Sequence, residues 1–160
     1  MTKFQQGDYQ PRNPEKYIGK HIPHYRSGWE LKFCRMCDDH PNIIAWASES
    51  HKIPYINPIT GKHSNYIPDF FVVYVDNDGK KHAEMVEIKP SGQIMGNAKG
   101  QYDQAQAVIN EAKWRYAEQW CKQQGIRFRV VTEKDIFNKP QKSKAQRNPR
   151  AAKVTKRKKR

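Results

Sequence analysis

Two runs decide the reading of this chain: Pro68-Asp69-Phe70-Phe71-Val72-Val73-Tyr74-Val75 and Met85-Val86-Glu87-Ile88-Lys89. Both are rich in β-branched and aromatic residues, which favour extended backbone, and Asp76-Asn77-Asp78-Gly79-Lys80 between them has hairpin turn chemistry. The charges are unusual, because ionised side chains seldom sit among so many apolar neighbours in a small domain. Side chains alternate faces along a strand, so Glu87 and Lys89 share one face and Val86 and Ile88 take the other. A three-residue loop, Asn77-Asp78-Gly79, pairs Asp76 with Lys80 and sets Asp69 opposite Glu87. A two-residue loop, Asp78-Gly79, opposes Asp69 to Ile88 instead, and a one-residue slip flips the face. The first register gathers two carboxylates and one ammonium.

Adjacent carboxylates repel unless a cation lies between them. Lys89 supplies part of that charge. Converging oxygens also suit Mg²⁺, which takes one or two protein carboxylates and completes its shell with water and phosphate oxygens. The expected metal ligands are Asp69, Glu87 and the Ile88 carbonyl, with Mn²⁺ able to substitute. A lysine beside a metal-bound water orients it and stabilises developing negative charge, so phosphodiester hydrolysis is the reaction class implied.

Pro68-Asp69 followed by Glu87-Ile88-Lys89 on the next strand resembles the PD-(D/E)XK nuclease signature. A wider set of matches runs in order along residues 11–135: Tyr25-Arg26-Ser27-x-Trp29-Glu30, Ile43-Ile44-Ala45-Trp46-x-Ser48-Glu49, Ile53-Pro54-Tyr55, Glu87-Ile88-Lys89-Pro90, Lys113-Trp114 and Gly125-Ile126-Arg127-Phe128-Arg129-x-x-Thr132-Glu133. Together they resemble the head-completion nucleases of T-even-type tailed phages, a family related to the TnsA-like transposon endonucleases. The resemblance implies a restriction-endonuclease-like α/β core, a mixed central sheet flanked by helices. It also implies double-stranded DNA as substrate, portal or neck proteins as partners, and a path from host cytoplasm to virion. Asp69, Glu87 and Lys89 are then the catalytic set, with Glu30 on the first helix as an auxiliary. Two other classes stay open: a structural DNA-end or connector-binding protein with a dormant site, and a TnsA-like subunit that cuts only within a transposase.

The charge distribution separates body from tail. The chain carries +14, and Lys139 to Arg160 alone hold eleven Lys/Arg and no acid, leaving +3 for the first 138 residues. With two prolines, no aromatics and one valine, that segment buries too little to fold alone and is read as a disordered basic tail. Such an arm binds polyanions by neutralising phosphates, with affinity that falls as salt rises. Lys142, Lys144, Arg147, Arg150, Lys153, Lys156, Arg157, Lys158, Lys159 and Arg160 are the expected phosphate contacts, joined by Arg26 and by Lys62 at a loop tip. No run of 18 apolar residues suits a membrane span. The polar opening Met1 to Gln10 is read as carrying no signal peptide.

The organisation expected is an extended arm over 1–24, a nuclease-like domain over 25–138 and the tail over 139–160. Ser27 and Glu30 fit a capping box for a helix over 28–39, with Trp29, Phe33, Met36 and Cys37 as its apolar stripe. Glu30 thus has both a capping role and a site role to fill. Cys34-x-x-Cys37 following His21-x-x-His24 is a conceivable zinc set, but the helical spacing favours buried thiols. Strands are expected over 43–46, 52–56, 65–75, 85–89 and 126–131. The turn Asn57-Pro58-Ile59-Thr60-Gly61 joins the second strand to the third. Glu49 is read as either a further acid near the site or, in preference, a solvated residue at a strand end. After a flexible stretch over 91–100, a long helix runs from about Gln101 to Gln124 with Gly125 just past its end. Its expected stripe is Ala105, Val108, Ile109, Ala112, Tyr116 and Trp120, with Lys113 and Arg115 facing solvent. Thr132 would cap a short helix over 133–137.

Overall fold

The computed structural model describes residues 6–89 and 100–132. The loop expected over 91–99, the short helix over 133–137 and the tail with its phosphate contacts from Lys142 to Arg160 lie outside the described residues.

The architecture grows from the hairpin. Strands β1 (Gly7–Asp8) and β2 (His24–Tyr25) form a small ribbon, and helix α1 spans Gly28–Asp39. Strands β3 (Ile43–Ser48), β4 (Ile53–Ile56), β5 (His63–Tyr66), β6 (Phe70–Val75) and β7 (Lys81–Ile88) follow, then helix α2 (Gln101–Gln123) and strand β8 (Arg127–Val131). The central sheet has order β3-β6-β7-β8: its first two pairings are antiparallel, while β7 and β8 run parallel through the α2 crossover. It is a mixed sheet with two helices, the α/β layout expected.

The register follows the three-residue loop. Phe70 pairs with Val86 and Val75 with Lys81, so the ladder continues to Asp69 beside Glu87 at one end and to Asp76 beside Lys80 at the other. The Asp76 N–H donates to the Lys80 carbonyl at 2.9 Å, and Asp76 Oδ1 accepts from the Asp78 and Lys80 N–H groups at 2.8 and 2.9 Å. Gly79 has φ +80°, the left-handed region where a Cβ is strained. Gly79→Ala is therefore expected to lower stability by about 1 kcal/mol, because open space around the new Cβ leaves only the backbone cost. An unchanged urea midpoint would contradict this account of the register.

One expected strand is broken. Residues 65–75 do not run as one element: Tyr66 ends β5, which pairs only with β4, and β6 starts at Phe70 in the central sheet. Pro68 sits in the break and is fully buried; it lacks the N–H that a continuing ladder needs. The break carries the β4–β5 hairpin off the sheet plane while leaving Asp69 at the head of β6.

Each helix covers one face. Leu31, Phe33, Cys34 and Cys37 of α1 join Trp46, Phe70, Val72, Val86, Ile88 and Val131 in one core, with the Phe33 and Phe70 rings 4.7 Å apart. The expected α1 stripe was partly misplaced: Met36 is 42% exposed, and Leu31, Cys34 and Asp38 are buried instead. The second core, between α2 and the β4–β5 hairpin, contains Ile53, Tyr55, Tyr66 and Ala117, with Ile109, Trp114, Trp120 and Phe128 packed against it. Here too the stripe differs. Ala107, Asn110, Ala112, Ala117 and Cys121 are the buried positions, whereas Tyr116 is exposed. Small residues let α2 approach the hairpin and sheet closely, and hydropathy alone ranks them below tyrosine. The helix ends as expected in a Schellman motif. Ile126 N–H donates to Cys121 O at 2.7 Å, Gly125 N–H to Lys122 O at 3.2 Å, and Gly125 has φ +74°.

The N-terminal segment lies against the first core. Tyr17 stacks edge-on against Trp46 at 4.8 Å, donates its hydroxyl proton to His21 O and accepts from Ser48 N–H. Tyr9 is buried, and its hydroxyl donates to Asp38 at 2.5 Å. Among the described residues no helix is long and apolar enough to cross a membrane.

Candidate active site

Asp69 and Glu87 reach one place because adjacent antiparallel strands put paired residues on the same face. Their partners fix their orientation. Asp69 Oδ2 accepts from Ile88 N–H at 2.8 Å, a side chain closing the ladder where backbone pairing stops. Asp69 O accepts from Glu49 N–H at 2.9 Å, and Glu49 holds φ +48°, uncommon for a residue with a Cβ. Strain of this kind concentrates near functional sites. Glu87 is only 5% exposed. Its Oε1 accepts from the Tyr66 hydroxyl at 2.7 Å, and its Oε2 lies 3.4 Å from Lys89 Nζ.

Glu30 arrives from the other side, on the first turn of α1. Its N–H donates to Ser27 Oγ at 3.1 Å, the expected cap. The reciprocal half of a capping box is altered, since Glu30 Oε1 accepts from Arg26 N–H at 3.3 Å, one residue before the cap. Capping by its backbone leaves the carboxylate within electrostatic reach of Glu87 and Glu49, so both readings of Glu30 are compatible in the fold.

The electrostatics reflect crowded negative charge. Burial first, then the Glu87 and Glu30 carboxylates, push the Asp69 pKa well above the ordinary aspartate range, against the Ile88 N–H and Lys89. Burial also raises Glu87, opposed by Lys89 and the Tyr66 hydroxyl. Glu30 is raised by burial, opposed by Arg26 N–H and reinforced by Glu87 and Glu49. Three carboxylates that each resist ionisation form a site that favours an added cation.

The donor set fits a hard divalent ion. Among the described residues Asp69 keeps one oxygen without a donor, and neither Glu87 oxygen is saturated by the partner it has there. Among the described residues no group of three or more His, Cys, Asp or Glu converges to hold a metal ion. Asp69 and Glu87 supply the one or two carboxylates with which Mg²⁺ is usually bound. Cys34 and Cys37 are buried free thiols in the first core, the placement their helical spacing favours, with burial pushing the Cys34 thiol up to about 12.

The structure brings together Glu30, Asp69, Glu87, Ile88 and Lys89. Arg26 stands beside them, but its guanidinium is bound to Glu49, with Nη2 to Oε2 at 3.1 Å and Nε to Oε2 at 3.3 Å. Lys62 is exposed at the tip of the β4–β5 hairpin, where the Asn57 side chain accepts from Ile59 and Thr60 N–H groups. Two expectations are corrected. Glu49 is not a free solvated acid, being tied to Arg26 and, through its backbone, to Asp69. Lys113 does not face solvent: it is half-buried, near Glu87 and Lys89. Tyr66 was missed altogether. A buried glutamate needs a donor, and an aromatic strand residue just before Pro68-Asp69 was a usable signal for one.

Residues 40–133 match the family model described as TnsA-like endonuclease N terminal. The chain is also 34% identical over 140 aligned residues to the protein of Enterobacteria phage T4 called head completion nuclease, a match covering 79% of this chain and 90% of that one.

Proposed function

Since the chain belongs to the TnsA-like endonuclease family, we propose that it hydrolyses phosphodiester bonds in double-stranded phage DNA with Mg²⁺, for which Mn²⁺ substitutes. The setting proposed is head completion after packaging, at the portal or neck, with the protein made in the host cytoplasm and carried into the virion. Head completion rests on the likeness to the T4 head completion nuclease; the portal or neck and the passage into the virion are our extension of that reading. The chemistry rests on one observation: three carboxylates crowd the end of β7, where burial raises Asp69, Glu87 and Glu30 and the Glu87 charge further raises Asp69 and Glu30, with Lys89 alongside.

Asp69, Glu87 and the Ile88 carbonyl would hold the ion. When bound, it supplies Lewis-acid stabilisation to the scissile phosphate and lowers the pKa of an attacking water. The protein's own groups do the rest. Ile88 N–H fixes the Asp69 carboxylate, and the Tyr66 hydroxyl fixes Glu87. Lys89 Nζ, held against Glu87, orients the water and offsets charge on the phosphate as it becomes five-coordinate. Glu30, partly buried and within electrostatic reach of Glu87, acts as an auxiliary group through water. Arg26, Lys62 and the basic residues from Lys142 to Arg160 would bind the DNA backbone.

The test is incubation of purified protein with supercoiled and linear DNA, with Mg²⁺ or EDTA, beside Glu87→Ala. Cutting that needs Mg²⁺ and disappears in the variant is expected. Salt-sensitive binding without cutting would point instead to a structural DNA-end protein.

A further inference from the structure

The apolar stripe of α2 contains one cation. Ile109, Lys113, Ala117 and Trp120 follow one another at spacings of four, four and three, and the other three pack in the second core. Lys113 is half-buried, with Nζ 5.8 Å from the Tyr55 ring centroid and 5.7 Å from that of Tyr66. Those two faces hold the ammonium beside the cluster, because the Tyr66 hydroxyl is itself bonded to Glu87. Lys89, the cation on β7, is already paired with Glu87 at 3.4 Å.

Among the described residues Lys113 has no carboxylate within ion-pair distance and no hydrogen-bond acceptor; ring faces are its contacts. Ring faces compensate a desolvated ammonium only in part, and buried cations are ordinarily paired. Burial and the neighbouring Lys89 both act against its charge, and Glu87 only partly supports it. An arriving anion would meet a cation with no bond to give up, whereas Lys89 must share itself with Glu87. On a face with a carboxylate pair suited to a divalent ion, the anion that fits is a phosphate diester.

Resting on the nuclease reading above, we infer that Lys113 is a second phosphate-binding cation of the site, contacting a backbone phosphate oxygen of the DNA strand that lies over Glu87. The two tyrosines position it, and Lys89 is left to the water and the reacting phosphate. The division explains why a lysine occupies a position where the stripe calls for an apolar residue.

The experiment uses full-length protein and a short duplex on which the wild-type cut has been mapped. Single neutral methylphosphonate linkages are placed at the cut and at each flanking position. Lys113→Met is expected to lower kcat/KM about 10- to 100-fold, the loss of one charge-assisted contact, and Lys113→Arg to recover most of it. One neutral linkage should depress the wild type strongly yet leave Lys113→Met nearly unaffected, because the contact is already gone. A merely structural role would give equal penalties at every linkage. The Met variant should also melt no lower than wild type, since it replaces a half-buried unpaired charge by an apolar chain of similar length. Wild-type kcat/KM in Lys113→Met, or neutral-linkage penalties identical in both proteins, overturns the inference while the nuclease reading stands. No cutting by the wild type with Mg²⁺ or Mn²⁺ overturns both.

Discussion

Asp69→Asn is expected to reduce DNA cleavage at least about a thousandfold and, in metal-free protein at neutral pH, to raise the melting temperature. The two effects share one cause. The carboxylate is held where burial, Glu87 and Glu30 all disfavour its ionised form. A raised folded-state pKa means the native protein binds its proton more tightly than the unfolded chain does. That stability is present at acid pH and lost as pH rises above the ordinary aspartate value of 3.8. Asparagine removes the charge but keeps an oxygen to accept from Ile88 N–H, so the β6–β7 junction survives. For catalysis the same change removes an anionic ligand and alters the charge that orients the reacting groups. A loss of several kcal/mol in transition-state stabilisation corresponds to about three orders of magnitude in rate. Circular dichroism melts and single-turnover cleavage check both halves. Activity within tenfold of wild type would remove Asp69 from the site, and a lower melting temperature would mean that the charge is structurally compensated.

Asp38→Ala is expected to cost about 3 kcal/mol of stability, lowering the melting temperature by about 10 °C. Asp38 is the carboxylate that ties the N-terminal segment to α1, and it is fully buried. Its Oδ2 accepts from the Tyr9 hydroxyl at 2.5 Å and from Arg12 N–H at 2.6 Å, and its Oδ1 accepts from Asn13 N–H at 2.9 Å. Truncation strands three donors, and each unpaired buried donor costs far more than an average hydrogen bond contributes. Burial alone would raise the Asp38 pKa, but the Tyr9, Arg12 and Asn13 donors outweigh it and hold the value below the ordinary range. For a depressed carboxylate the sign is opposite to that of Asp69. Its contribution is whole above 3.8 and is lost as pH falls from there through the lower folded value. Urea unfolding at pH 7 and pH 3 should therefore show a large gap between wild type and Asp38→Ala at pH 7 that narrows at pH 3. A loss under 1 kcal/mol at pH 7 would sink the assignment of Asp38 as the anchor.

The sequence alone determined the hairpin and narrowed its register to two, because turn geometry and the two-residue strand period are local rules; the folded ladder then selected the three-residue loop and with it the Asp69–Glu87 pairing. It also determined the bounds of α1, read from Ser27 and Glu30, and the end of α2 at Gly125, because caps are written within a few residues of each other. Tertiary structure decided what lies across those elements. Asp38 stands near the end of the helix expected over 28–39 with nothing local to mark it, and only the return of residues 9–13 over α1 makes it the most enclosed carboxylate of the described fold. Residues 65–75 read as one strand because composition does not report which sheet a strand joins; Pro68 and the hairpin's departure from the sheet separate them. The helix stripes slipped for a related reason: hydropathy favours Tyr116 and Met36, but close packing selects Ala107, Ala117 and the cysteines. Tyr66 reaches Glu87 across 21 positions of the chain, and Lys113 lies over the Tyr66 ring from 47 positions away. No local pattern encodes contacts at that separation. They exist because α2 and the β4–β5 hairpin pack together on the face of the sheet that carries the carboxylates.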